Sequence, residues 1–161
     1  MNRRIVDTSV IVFLAKLGRL ELLRLAVEEA LVPAAVLTEL RIRRDEATDR
    51  VERHLGTWLK ECSLVHTDLL QLLSDLGQGE REVIAQAVQE KAANVALDDQ
   101  EAHRVARRSG SESIGTIGLL LAAKKQALIP TLKQELERLR GIGFWVTEAL
   151  AAQALREAGE A

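Results

Sequence analysis

The chain has 161 residues, 47% of them hydrophobic and 29% charged, with a formal net charge of −2. That is enough apolar material for one globular domain with a real core, and the slight negative balance argues against a protein that coats nucleic acid through its overall field. One cysteine, Cys62, excludes a disulfide framework, and only four aromatic residues (Phe13, Trp58, Phe144, Trp145) speak against a platform that stacks bases.

Residues 3–7 read as a short buried strand. Thr8 and Ser9 can cap the helix that follows, Val10 to Leu17, which stops at Gly18. A second helix is expected over about 20–29, with Leu20, Leu22, Leu23, Leu25 and Ala26 on its apolar face. Residues 30–33 form the next strand, and Pro33 opens a helix that runs to about 44. Across the charged stretch 45–61, Val51, Leu55, Trp58 and Leu59 recur at helical spacing and predict an amphipathic helix or helical lid. A short strand is expected at 63–66 and a helix from Leu69 to Leu76. Gly77 and Gly79 bracket a turn before a helix over 80–92.

The second half continues in the same rhythm: a strand at 94–97, an arginine-rich helix at 100–108, a strand at 113–116 and a helix at 117–126. After Pro130 come helices at about 131–140 and 147–158. Strands alternating with helices predict a three-layer α/β/α sandwich around a central, mostly parallel sheet of 4–5 strands. Residues 1–161 read as one domain, with 131–161 as a C-terminal helical extension packed on it. Arg3 and Arg4 precede an apolar run, but Asp7 interrupts it and no small-residue cleavage site follows. No run reaches the roughly 18–20 apolar residues of a membrane span, so a cytoplasmic protein is expected.

Acidic residues recur where strands end or on the helices beside them: Asp7, Glu39, Glu80 and Glu82, and Asp98 and Asp99. In a parallel sheet the carboxyl ends of the strands share one rim, where sites in such folds lie. Carboxylates gathered there repel one another, and a hard divalent cation with oxygen ligands is the usual counter-charge. Each acid has an ordinary reading too: Asp7 as an N-cap, Glu39 as a solvated edge residue, and Glu80 or Glu82 in a helix's first turn. Periodicity leaves Glu80 and Glu82 undecided, as it does Asp98 and Asp99. Thr8, Ser9 and Thr116 add hydroxyls nearby.

No dinucleotide fingerprint, phosphate-binding loop, Cys/His cluster or nucleophile triad is present. His54, His66 and His103 read as surface residues and Cys62 as a buried apolar one. Arg41, Arg43 and Arg44 follow Glu39, and Arg104, Arg107 and Arg108 follow Asp99. Beside a metal pocket, such cations would hold a nucleic-acid backbone without reading its sequence.

IVDTS (5–9), VPAAVLTEL (32–40), GQGEREVIAQA (77–87) and VALDD (95–99), in this order and spacing, resemble a PIN domain. The segments 114–139 and 141–150 resemble the ending of a subfamily of predicted nucleic-acid-binding PIN proteins, so the likeness spans nearly the whole chain. It implies a metal-dependent nuclease fold and, in many members, VapC-type toxin ribonucleases paired with small antitoxins. The family's acidic set carries over to Asp7, Glu39, Glu82 and Asp99, with Glu80 and Asp98 as second choices. Thr8, Ser9 and Thr116 become supporting polar residues, and Mg²⁺ or Mn²⁺ the cofactor.

The function expected from this resemblance is metal-dependent hydrolysis of single-stranded or structured RNA, with a small antitoxin or a second copy of the chain as partner and no membrane role. A non-catalytic PIN-fold module that binds nucleic acid or protein is the alternative. A phosphoacceptor receiver domain ranks last, because its acidic pair belongs after the first strand and here stands mid-chain. Phe144 and Trp145 either pack the last helix onto the body or form a contact with a partner.

Overall fold

A computed structural model describes residues 2–160. Its strands are β1 (Arg3–Val6), β2 (Glu29–Pro33), β3 (Leu59–Cys62), β4 (Asn94–Ala96) and β5 (Glu112–Ile114). The helices are α1 (Thr8–Leu17), α2 (Ala34–Arg43), α3 (Glu46–His54), α4 (Gln78–Glu90), α5 (Gln100–Arg108), α6 (Thr116–Lys125), α7 (Leu132–Gly141) and α8 (Glu148–Glu157).

The five strands form one sheet in the order β3-β2-β1-β4-β5, every pair parallel, flanked by helices. Ile5 of β1 stands between Leu31 of β2 and Val95 of β4, and Ile5, Val6, Val95 and Ala96 are fully buried. Strands covered on both faces need such short apolar runs rather than alternation. The chain moves outward from β1 to β2 and β3, then crosses back to β4 and β5. The topological switch therefore lies between β1 and β4, and the crevice beyond their carboxyl ends is where a ligand fits this class of sheet. Among the described residues, no helix is long and apolar enough to cross a membrane.

The expected elements are present with four corrections. The helix expected over 20–29 is only a 3₁₀ segment, Leu20–Arg24, because Leu25 is extended and Ala26 adopts a positive φ of 63° as the chain turns into β2. The long helix over 45–61 ends at His54; Gly56, with φ of 90°, breaks it and lets β3 begin at Leu59. The strand expected at 63–66 is thus four residues late. Leu69–Leu76 is replaced by a 3₁₀ segment over Thr67–Leu73.

Helix α1 is held at its carboxyl end by cations from two other helices. Arg50 donates to the carbonyl of Ala15 at 2.5 Å and Arg138 to that of Leu17 at 2.6 Å, satisfying carbonyls a helix end leaves open. Glu135, only 2% exposed, fixes Arg138 and accepts from Arg19 at 2.7 Å, so α7 is bolted to the α1 turn. Glu135→Ala should cost about 1–2 kcal/mol, since it strands two partly exposed guanidinium groups. A lower urea midpoint with an unchanged slope is the expected result; an unchanged midpoint would mean that the bolt carries no net stability.

Candidate active site

Asp7 follows β1 directly. Its backbone is extended, its N–H donates to the carbonyl of Ala96 at 2.9 Å, and its side chain does not cap α1 although it occupies the N-cap position. The residue is 8% exposed. Burial raises its carboxyl to about 6; the Thr8 backbone N–H opposes this, while the carboxylates of Glu80, Glu39 and Asp98 add to it.

The hydroxyls expected to cap α1 lie inside that helix instead and serve the neighbouring acids. Thr8 Oγ1 donates to Glu39 Oε2 at 2.7 Å, joining the first turn of α1 to α2. Ser9 Oγ donates to Asp98 Oδ2 at 3.4 Å. Asp98 is held more firmly by Thr116, which opens α6 and is fully buried: its backbone N–H and its hydroxyl each donate at 2.8 Å. Gly115 makes room for this, because a Cβ there would stand 2.7 Å from Asp98 Oδ1. Asp99 has a different task, accepting from the Ala102 N–H at 2.9 Å as the cap of α5.

A cleft of about 380 Å³ is lined by Asp7, Thr8, Ser9, Glu39, Glu80 and Asp99, with Lys16, Arg43 and Ile142 around them. Glu80 therefore joins the cleft and Glu82, on the same α4, does not line it. Gly77, the residue before α4, leaves the space that the Glu80 carboxylate occupies, 2.5 Å from where a Cβ would sit. The two adjacent aspartates share the rim: Asp98 is the one whose charge reaches Asp7, and Asp99 borders the cleft.

The arginines divide as well. Arg43, four residues after Glu39 and on the same helical face, lines the cleft. Arg41 is engaged by Glu52 at 3.0 Å and Arg44 by Glu52 at 3.8 Å. Arg104 pairs with Glu101. Helix α5 starts at the site and runs away from it, so Arg107 and Arg108 lie at its far end, on the order of 10 Å along the axis. Lys16 is the cation that sequence reasoning missed; its signal was spacing, since Ser9, Val12, Phe13 and Lys16 fall on one face of α1.

Among the described residues, no three acidic, histidine or cysteine side chains stand together within one cation's reach. The hydrogen bonds explain this, because Thr8, Thr116 with Ser9, and the α5 amino end each hold one carboxylate apart from the others. The chemistry of the set still fits a hard divalent cation: every donor is oxygen, and burial, with the neighbouring acids adding to it, raises the Asp7 carboxyl, a strain that one positive charge would relieve. Cys62 is buried, away from this cleft, with its thiol pushed up to about 12 by that burial.

Residues 3–160 match a family model, DUF3368, described as a PIN domain. The fold is similar to that of a PilT N-terminus domain protein from the hyperthermophilic archaeon Sulfolobus solfataricus P2, with a TM-score of 0.52 at 16% identity, over 75% of this chain and 92% of that one. At that identity the likeness is one of fold. No curated protein matches the chain.

A carboxyl that titrates near 6 when folded and near 3.8 when unfolded costs stability once ionised, and the cost fades as pH falls below 6. In chelator at pH 7.5, Asp7→Asn should be more stable than the wild type by about 1–3 kcal/mol, and the two should converge by about pH 4. Urea denaturation at both pH values checks this; a variant less stable at pH 7.5 would refute a strained, ionised Asp7.

Proposed function

Because the chain belongs to the PIN-domain family, whose fold is that of nucleases, we propose that it is a metal-dependent ribonuclease. The observation that carries this reading is the convergence of Asp7, Glu39, Glu80 and Asp98 on the switch point of the sheet, beside Lys16 and Arg43.

Asp7, Glu39, Glu80 and Asp98 are the residues that would hold Mg²⁺ or Mn²⁺, with Asp99 at the rim. The ion, when bound, would supply a polarised, more acidic water and charge neutralisation at the phosphate. Thr8 orients Glu39, and Thr116 with Gly115 fixes Asp98. Lys16 and Arg43 neutralise the phosphodiester backbone and set its place in the cleft, contacts that carry no sequence information. Attack of water in line at phosphorus, with departure of the 3′ oxygen, gives a 5′ phosphate and a 3′ hydroxyl. No side-chain nucleophile is required.

The spacing of the acids favours a second reading, a PIN-fold interaction module that binds without cutting. Mn²⁺ separates the two: it should raise the melting temperature of the wild type and leave Asp7→Asn unmoved if the acids form a site.

On a mixed-sequence RNA with Mn²⁺, Asp7→Asn should lose more than about 100-fold in rate while staying folded. Glu80→Gln should fall comparably and Glu82→Gln should cut near the wild-type rate. A folded Asp7→Asn that cuts fully would sink the assignment, and the reverse order for the two glutamates would move the ligand to Glu82. Lys16→Ala and Arg43→Ala should each raise KM and reduce the salt slope of binding by about one.

A further inference from the structure

Next to the acidic cleft lies a larger cavity of about 640 Å³, within the range of roughly 300–1,000 Å³ typical of small-ligand sites. The two share Ser9 and Phe13, one turn apart on α1, so they are halves of one depression. Their chemistry differs sharply. The first is walled by acids, with Lys16 and Arg43 beside them; the second is lined by no lysine or arginine. Its surfaces are mainly aromatic and aliphatic, from Phe13, Phe144, Trp145, Ile117, Val146 and Leu150, with neutral polar groups among them and Asp98 on the shared side.

The aromatic part is built from opposite ends of the chain. Phe144 meets Phe13 edge-on, with ring centroids 5.0 Å apart and planes at 89°, and both are partly buried against the core. The adjacent Trp145 also lines the cavity and is 82% exposed. Gln100 and His103 provide hydrogen-bonding groups. The Nδ1 of His103 is engaged by Ser113 Oγ at 2.5 Å, which leaves Nε2 as its other polar atom. Burial lowers the His103 pKa despite Asp98 and Asp99, so the ring is neutral at pH 7.5.

We propose that this cavity is a nucleobase subsite: it takes the base of a nucleotide next to the cleaved phosphate, with Trp145 as the stacking face and Gln100 and His103 as hydrogen-bonding partners. The inference rests on the nuclease reading for its substrate. Charge sorts the two halves. A polyanionic backbone belongs beside Lys16 and Arg43, whereas a cavity without cations suits an uncharged planar group covalently joined to that backbone. An exposed tryptophan at the mouth supplies the face that every base can stack on. The shortage of aromatic residues, which spoke against an extended platform, allows one local site because three of the four line this cavity.

Trp58→Phe leaves Trp145 as the only tryptophan and serves as the background. In chelator, titration with an adenosine hexaribonucleotide should quench Trp145 fluorescence. Trp145→Phe should bind that hexamer nearly as well, and Trp145→Ala about tenfold more weakly by fluorescence anisotropy of a labelled hexamer. A hexamer of abasic ribose phosphates should bind equally to all three. Quenching without cutting in Mn²⁺ would end the nuclease reading and keep the base subsite. Cutting by the wild type with no quenching, or equal loss of the abasic and normal hexamers in Trp145→Ala, would overturn the subsite and keep the nuclease. A change confined to self-association, read by sedimentation, would also overturn it and assign the face to a second copy of the chain.

Discussion

The structure is organised around one unfavourable placement: a carboxylate buried at the carboxyl end of the central strand, within the field of three others. Asp7 cannot move away, because its own N–H is part of the β1–β4 pairing through Ala96. Its backbone position is set by the sheet and its charge is opposed by Glu80, Glu39 and Asp98. Domain stabilities are small differences between large terms, so a strained ionised group of this kind must be offset elsewhere. Such groups gather at sites where a ligand or cation relieves them.

The offset is visible in how α1 is fastened. Its amino end faces the acids and gives them two hydroxyls, with Thr8 reaching across to α2 and Ser9 toward the end of β4. The carboxyl end is clamped by Arg50 and Arg138, and Glu135 locks the second of these in place. A helix held at both ends keeps those hydroxyls in place against Glu39 and Asp98. Its dipole also favours negative charge at the amino end, where the acids stand. Helix α7 thus acts on the acids at a distance, by holding the far end of the helix whose hydroxyls meet them.

Much of this arrangement is legible in the residues. β1, β2 and β4 are short apolar runs that end at an acid or at Pro33, and a run of that kind in an alternating pattern means a buried parallel strand. The acids followed because the carboxyl ends of such strands share a rim. β3 was hidden for a physical reason. It is an edge strand, Leu59-Lys-Glu-Cys62, with both central residues exposed, and its apolar positions continue the helical spacing of Val51 and Leu55. The extended Leu55 and the positive φ at Gly56 separate the two elements.

Glu80 and Glu82 could not be told apart locally, because the start of α4 at Gln78 and its docking on the sheet decide which acid meets Asp7. The cavity beside the cleft was beyond any local pattern: Phe13 and Phe144 come from opposite ends of the chain and meet only in the folded protein.

The low net charge takes on a different meaning once the ion pairs are known. Several arginines that looked available for a polyanion are committed within the protein, with Arg41 and Arg44 to Glu52 and Arg104 to Glu101. Exposed pairs of this kind add little stability, but they cancel the field that a distant nucleic acid would feel. Under the proposed function, attraction would then depend on Lys16 and Arg43, which line the cleft beside the acids. A protein built this way has little long-range pull on nucleic acid. Under the proposed function, its selectivity would come from fit within the depression, from the residues bordering the carboxylates.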